Sequence, residues 1–397
     1  MVKNNFTKAY WFWHWGEGFQ TVLFTWYITF EAQLSATEIG FYQALTLSPF
    51  LLVAIIGGAL TDRFGATIIF VKSTAAFGVV LIAYGVTDAN LGFVGMFFFI
   101  YCVIVGILSA ISNPAIDTFI PDFSERSVQA NGLYAANAHN GAKLTGNISA
   151  LAVPLLHAIG GFVLNAILML ISARFLVLHG REVSKKLTRR LPLAANRSAS
   201  YMPVLAHLRK APESLDILLS SALLGLFMVP TGYVILPLFL RENFPAFGDF
   251  TAALNMSSWI GAIVATAFLH RMSVSITRPG IISVLLWMSF GTLLLLLTVS
   301  TSFPMMCGFV LFLGMSKAGK ALVYGRMINN CPQTHRGVLV AIDQTAFWGL
   351  STVGTLAVGV IIDLSGLTTA IIITACGFNF GICLLAFRGN LLRIRSL

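Results

Sequence analysis

The stretch Gly57–Phe70, GGALTDRFGATIIF, is a short polar turn between two long apolar segments. Its glycines, among them Gly58 and Gly65, permit a tight turn and close approach of the flanking helices. Asp62 and Arg63 place two charges at the centre of the turn. A charged turn between segments of about 20 apolar residues is typical of a loop that joins two membrane-spanning helices. The fold therefore depends on how many such apolar segments the chain contains.

The composition excludes a soluble protein. The chain has 397 residues, of which 57% are hydrophobic and only 10% are charged. A soluble protein of this length needs more charge to cover its surface. Long apolar runs recur from one end of the sequence to the other. The sequence therefore predicts a helical protein that crosses a membrane many times.

Hydropathy predicts twelve spans in two halves. A basic central loop, residues 181–213, separates an N-terminal six-helix half, residues 1–180, from a C-terminal half, residues 214–397. Leu151–Val153 in span 5 and Leu356–Val358 in span 11 both read LAV, which favours two related halves. The twelve predicted spans are 9–31, 37–60, 66–87, 91–112, 129–154, 157–178, 214–240, 249–269, 279–300, 303–326, 337–361 and 367–387.

The loop charges predict the orientation of the spans. Twelve spans put both termini, the central loop and every even-numbered loop on one side of the membrane. That side receives nearly all lysines and arginines outside the spans, whereas the opposite side receives only Arg241. The positive-inside rule makes the basic side cytoplasmic. The net charge of +10 follows this alternation, which a nucleic-acid-binding patch would not do.

The opening turn resembles the signature of a transporter superfamily. Gly58, Leu60, Asp62, Arg63 and Gly65 match the G-x-L-x-D-R-x-G motif of the major facilitator superfamily, in the loop between spans 2 and 3. The resemblance implies an all-α membrane fold with twelve transmembrane helices in two pseudo-symmetric six-helix halves, with cytoplasmic N- and C-termini. It also implies transport by alternating access, with the signature acting in the gate.

Spans 1 and 5 resemble one branch of that superfamily. Asn147 stands where proton-coupled drug exporters carry a proline, and Ala150 stands where they carry a glycine. Span 1 instead carries an acid after a glycine, Glu17, and span 5 carries Lys143 close to Gly146, as in the branch that contains the enterobactin exporter. This resemblance implies export of a siderophore of the aerobactin type from the bacterial inner (cytoplasmic) membrane.

Five ionisable side chains fall deep inside predicted spans: Glu17, Lys143, Lys317, Lys320 and Asp343. A charge at the centre of a membrane helix costs about 2.5–3.5 kcal/mol on insertion scales, so such residues are functional candidates. One interpretation makes the three lysines an anion site while Glu17 or Asp343 takes up a proton. The other is structural and pairs Asp343 with Lys317 or Lys320 as a buried gate contact. The sequence leaves both open.

Other candidates are aromatic or carry weaker signals. Tyr324 and Trp348 lie on spans 10 and 11 and are predicted to line the cavity and stack on a ligand. His14 and His139 are interpreted as hydrogen-bonded packing groups rather than as a proton relay. Lys72 lies near the cytoplasmic end of span 3, and its side chain is expected to extend to the membrane–water interface. The five cysteines lack metal-ligand spacing, and no cofactor or metal is predicted.

The function predicted from these features is secondary active transport. We expect proton-coupled export of an anionic small molecule, such as a carboxylate or hydroxamate siderophore, by a multi-pass monomer. Its partners are then the anion, protons and the lipid bilayer, without nucleic acid. The alternatives are a multidrug efflux antiporter, a lysophospholipid-type lipid transporter, and a scaffold or sensor. An enzyme is not expected, because nucleotide loops, metal clusters and nucleophile motifs are missing from the sequence.

Overall fold

A computed structural model describes residues 5–51, 60–61, 63–119, 128–186, 202–272, 276–331 and 336–394. Every regular element in these ranges is helical. Gly58 and Asp62 of the signature turn lie outside the described residues. The all-α membrane fold predicted from the sequence is confirmed over the described part of the chain.

The described helices follow the predicted spans, and residues 52–59 of predicted span 2 lie outside the described residues. Span 1 continues past Trp26 as a π-helical turn, Tyr27–Glu31, and a short helix, Met202–Lys210, precedes span 7. The helices of spans 1 to 6 are Asn5–Trp26, Ala36–Leu47, Ala66–Leu91, Gly95–Asp117, Val128–Ser149 and Val153–Lys186. Those of spans 7 to 12 are Pro212–Leu223 with Leu236–Asn243, Thr251–Arg271, Pro279–Leu296, Phe303–Met315 with Ala318–Asn330, Arg336–Ser365, and Leu367–Phe387.

Spans 5 and 6 are separated by a break in the backbone. Nine helices of the described part are long and apolar enough to cross a bilayer, and one of them, Asn137–Gly180, has 44 residues. A straight helix of that length measures about 66 Å, roughly twice the ~30 Å thickness of the hydrocarbon core. His157 has a φ of 55° and interrupts the helical backbone there. The segment therefore forms two spans, as the sequence predicts.

Contacts between helices divide the chain into two compact units. Unit 1 comprises Met1–Gln33 and Ser48–Arg197, and unit 2 comprises Leu34–Leu47 and Ser198–Leu397. The beginning of span 2 therefore belongs to unit 2, together with spans 7 to 12. The division of the sequence at residues 181–213 stays a prediction.

The beginning of span 2 joins unit 2 through span 11. Asp363 accepts hydrogen bonds from the backbone N–H groups of Ala36 and Thr37, at 3.2 and 2.8 Å. A carboxylate at a helix N-terminus is favourable because the first N–H groups of a helix lack partners within it. One turn further on, a side chain at Gly40 or Gly359 would overlap the backbone of the other helix. The two helices therefore touch backbone to backbone.

Candidate functional site

A close helix crossing in unit 1 brings Glu17 and Lys143 together. A Cβ atom at Gly18 in span 1 would lie 2.6 Å from the carbonyl oxygen of Lys143 in span 5. A Cβ atom at Gly146 would overlap the carbonyl oxygen of Trp15. Only glycine leaves room for backbones this close. The residues next to the crossing on the two helices therefore share one small volume.

Glu17 is the centre of a polar cluster in that volume. Its Oε2 lies 3.1 Å from the Nζ of Lys143 and 2.7 Å from the Nδ1 of His14. Its Oε1 accepts a hydrogen bond of 3.0 Å from Asn113, whose own oxygen accepts one of 2.9 Å from Trp13. The side chains of Glu17 and Lys143 are only 17% and 16% exposed. Both carboxylate oxygens are thus engaged, and the ion pair is largely shielded.

Two histidines complete the cluster, and sequence reasoning missed their placement. The rings of His14 and His139 lie 4.3 Å apart between centroids, and His14 is buried. His14 precedes Glu17 by three positions and His139 precedes Lys143 by four, which puts each histidine on the same helix face as its charged neighbour. This spacing was the signal in the sequence that could have identified them. The Glu17 cluster is defined here as Glu17, Lys143, His14, His139 and Asn113.

A second close crossing, in unit 2, positions Lys317. A side chain at Gly314 in span 10 would overlap the backbone of Ser258 in span 8, and one at Gly261 would overlap Leu311. Spans 8 and 10 therefore touch along one face. Lys317 follows Gly314 by three positions, so it lies one turn from the crossing, next to Ser258.

Span 10 is interrupted at Lys317. Its first helix ends at Met315 and its second begins at Ala318. The N–H of Lys317 donates to the carbonyl of Gly314 at 3.2 Å, and that of Gly319 donates to Ser316 at 3.0 Å. Bonds to the third preceding residue tighten the helix into a 3₁₀-like turn. Such an interruption changes the faces on which the flanking side chains lie.

Lys320 is paired with Asp343 of span 11. The Nζ of Lys320 lies 2.8 Å from Oδ2 of Asp343, a fully buried residue, while Lys320 remains 24% exposed. The rings of Tyr324 and Phe347 lie 5.2 and 5.1 Å from the same Nζ. Of the pairings that the sequence left open, the structure contains the one between Lys320 and Asp343.

Lys317 has a different environment. Its Nζ donates a hydrogen bond of 2.8 Å to the hydroxyl of Ser258 and lies 4.6 Å from the ring centroid of Trp259. In the described ranges, its ammonium has no carboxylate within ion-pair distance. Three ionisable groups, Lys317, Lys320 and Asp343, therefore carry a net charge of +1 in this part of unit 2.

The remaining predicted residues are placed less centrally. Trp348 packs edge-on against Phe347, with 4.9 Å between ring centroids, and Phe347 in turn contacts the ammonium of Lys320. Gly65 has a φ of 88° and precedes the helix of span 3, as the predicted turn requires. Arg63 is exposed and lies over the ring of Phe64. With Gly58 and Asp62 outside the described residues, the gating role of the signature stays a prediction.

The crossing of spans 8 and 10 gives a stability prediction. We expect Gly314→Ala to lower the free energy of unfolding by about 1–3 kcal/mol, because the added methyl group must push span 8 away. Gly308→Ala on the same helix is the matched control, since a Cβ atom there meets nothing within 4 Å. Thermal unfolding of the two purified variants in detergent measures the difference. Equal melting temperatures would show that the two helices do not pack closely at Gly314.

Among the described residues, no group of three or more histidine, cysteine, aspartate or glutamate side chains is arranged to hold a metal ion. The described spans instead contain two ion pairs, Glu17–Lys143 and Lys320–Asp343, and the ammonium of Lys317. Charged groups in transmembrane helices mark substrate and proton pathways.

Comparisons with solved structures agree with a transporter fold. The nucleoside transporter NupG has a TM-score of 0.71 at 12% identity, over 98% of this chain and 98% of that chain. A POT family transporter in complex with a thioalcohol-conjugated peptide has a TM-score of 0.72 at 14% identity, over 98% and 96%. A bacterial homologue of the human lysosomal transporter Spinster, inward-facing and unoccupied, has a TM-score of 0.62 at 12% identity, over 98% and 95%. At these identities the likeness concerns the fold alone.

Sequence comparison identifies the family. No curated protein matches the chain. The family model described as Major Facilitator Superfamily matches residues 9–279, well over half of the chain. This agrees with the signature turn, with the spans and with the structural likenesses. The chain therefore belongs to the major facilitator superfamily and is a multi-pass membrane transporter, not an enzyme.

Proposed function

We propose that this transporter exports an anionic small molecule from the cytoplasm in exchange for protons. The proposed substrate is a carboxylate-rich siderophore of the aerobactin type, and the proposed location is a bacterial inner membrane. The observation that supports this most directly is Lys317, a cation in a membrane span without an acidic partner among the described residues. A ligand that supplies the missing negative charge removes the cost of that unneutralised cation.

The same charge argues against a cationic drug as substrate. A lipophilic cation would meet an existing positive charge at Lys317, and the carboxylate of Asp343 in span 11 is already paired with Lys320. Like charges at short range repel strongly where water is scarce. An anion is therefore the better fit for this part of unit 2.

The membrane potential of a bacterium favours outward transport of an anion. Each elementary charge moved across a membrane potential of 100 mV is worth about 2.3 kcal/mol. Because the cytoplasm of a bacterium is electrically negative, an anion moves outward with that potential. The membrane potential therefore contributes to the export of a multivalent carboxylate, alongside the proton gradient.

Exchange with protons requires that proton and anion load the carrier alternately. If the proton and the anion both bound at one lysine–carboxylate pair, each would strengthen binding of the other. Protonation of the carboxylate releases the lysine, which can then bind the anion. We therefore assign the proton to Glu17 in unit 1 and the anion to the lysines of unit 2. Lys143 then neutralises Glu17 between proton-binding events, and Asp343 neutralises Lys320. In this arrangement Lys143 and Asp343 are positioning residues.

Transport by inside-out membrane vesicles tests the proposal. In such vesicles export appears as uptake, and an acidic lumen supplies the outward proton flux. We expect accumulation of aerobactin that follows the pH gradient while valinomycin and potassium clamp the electrical potential, and that a protonophore abolishes. Vesicles without the protein are the control. Uptake driven by an alkaline lumen would reveal co-transport and refute exchange, and uptake that is indifferent to both gradients would refute proton coupling.

A further inference from the structure

We infer that Lys317, Ser258 and Trp259 form a subsite for one organic carboxylate group, in which Trp259 sets the specificity. The inference rests on the proposed transport of an anion and adds two residues of span 8 that the sequence did not single out. It distinguishes Lys317 from Lys143 and Lys320, which the sequence treats as equivalent.

The three side chains are held together by the backbone. Spans 8 and 10 touch at Ser258 and Gly314, so neither helix can slide along the other without opening that contact. Lys317 lies one turn from Gly314, and Trp259 directly follows Ser258. The helix crossing therefore fixes the backbone from which the three side chains extend, and this contributes to the preorganisation that a binding site needs.

The ammonium of Lys317 has hydrogen-bonding capacity that its protein contacts do not use. A lysine carries three N–H donors. One donates to Ser258 at 2.8 Å, and the ring of Trp259 covers a second side at 4.6 Å. Neither partner carries a negative charge. Lys143 and Lys320, by contrast, each have a carboxylate within 3.1 Å. Of the three lysines, Lys317 is therefore the one on which an incoming carboxylate displaces no carboxylate of the described residues.

Trp259 determines which anions are favourable. Its ring already attracts the ammonium of Lys317 through a cation–π interaction. A carboxylate that binds this ammonium lies close to the same ring, whose apolar surface then contacts the carbon skeleton of an organic ligand. An inorganic anion gains the charge contact but nothing from the ring. The subsite therefore favours an organic carboxylate over an inorganic anion.

Equilibrium binding to the purified full-length protein in lipid nanodiscs tests this inference without any ion gradient. The probes are citrate and aerobactin, with inorganic phosphate for comparison. We expect Lys317→Gln to weaken binding of citrate and aerobactin about 10- to 100-fold, as for loss of a charge-assisted hydrogen bond, and Lys317→Arg to weaken it less. Lys72→Gln, which removes an exposed lysine of span 3, is the matched control and leaves binding unchanged.

The tryptophan is tested separately. We expect Trp259→Leu to reduce the preference for citrate over phosphate, and Trp259→Phe, which keeps an aromatic ring, to retain most of it. Wild-type affinity of folded Lys317→Gln for citrate and aerobactin would overturn the subsite. If that variant also keeps proton-driven transport, the subsite fails while the proposed function stands. If the subsite binds citrate as expected but no gradient drives transport, the proposed function fails alone. Wild-type protein that binds neither organic anion overturns both.

Discussion

Replacing Lys320 with methionine should destabilise the folded protein by about 3–5 kcal/mol, because the substitution leaves the charge of Asp343 buried without its partner. Asp343 is fully buried, and its Oδ1 accepts no hydrogen bond from the described residues, so the bond to Lys320 is its principal compensation. Methionine has nearly the same length as lysine and keeps the packing against Tyr324 and Phe347. The measurement is the melting temperature of the purified variant, together with the yield of folded protein.

Removing both partners separates charge from packing. In Lys320→Met/Asp343→Leu no charge remains to be buried, and replacing a whole buried ion pair by apolar groups is often neutral or stabilising. We therefore expect the double variant to recover most of the melting temperature lost in Lys320→Met. A double variant as unstable as the single one would show that packing, not the unpaired charge, causes the loss.

The prediction of the spans from the sequence succeeded because it rests on local properties. Apolar length, loop charge and turn residues act within one segment, so the break at His157 falls where the boundary between spans 5 and 6 was predicted. The deep charged residues were also found locally, since a charge inside an apolar run is visible by itself. The partner of Asp343 was narrowed to Lys317 or Lys320. The partner of Glu17 was not found, because its pairing with Lys143 depends on the crossing at Gly18 and Gly146.

The two lysines of span 10 show the same limit. Lys317 and Lys320 are three positions apart, which places them about 60° apart around an ideal helix. The turn at Ser316 interrupts that helix. One lysine contacts span 8 and the other span 11. A periodicity argument assumes a continuous helix, so it assigns them to one face and one role.

The proton assignment predicts large losses of transport. We expect Glu17→Gln to lower proton-driven uptake of aerobactin into inside-out vesicles roughly 5- to 150-fold, the usual range of coupling between two ligands. Glutamine keeps the hydrogen bond from Asn113 but neither takes up a proton nor neutralises Lys143. Glu31→Gln, which changes an exposed acid at the end of the same span, is the matched control and should leave uptake unchanged.

The double variant Glu17→Gln/Lys143→Met distinguishes coupling from stability. Lys143→Met alone leaves Glu17 without its cation, so it should lower both the melting temperature and the uptake of aerobactin. Adding Glu17→Gln removes the unpaired charge and should restore the melting temperature while uptake stays insensitive to the pH gradient. A purely structural role for the Glu17 cluster predicts instead that transport returns together with stability. Full proton dependence in Glu17→Gln would contradict the assignment of the proton to Glu17 and would favour Asp343, the other carboxylate that the sequence proposes for proton uptake.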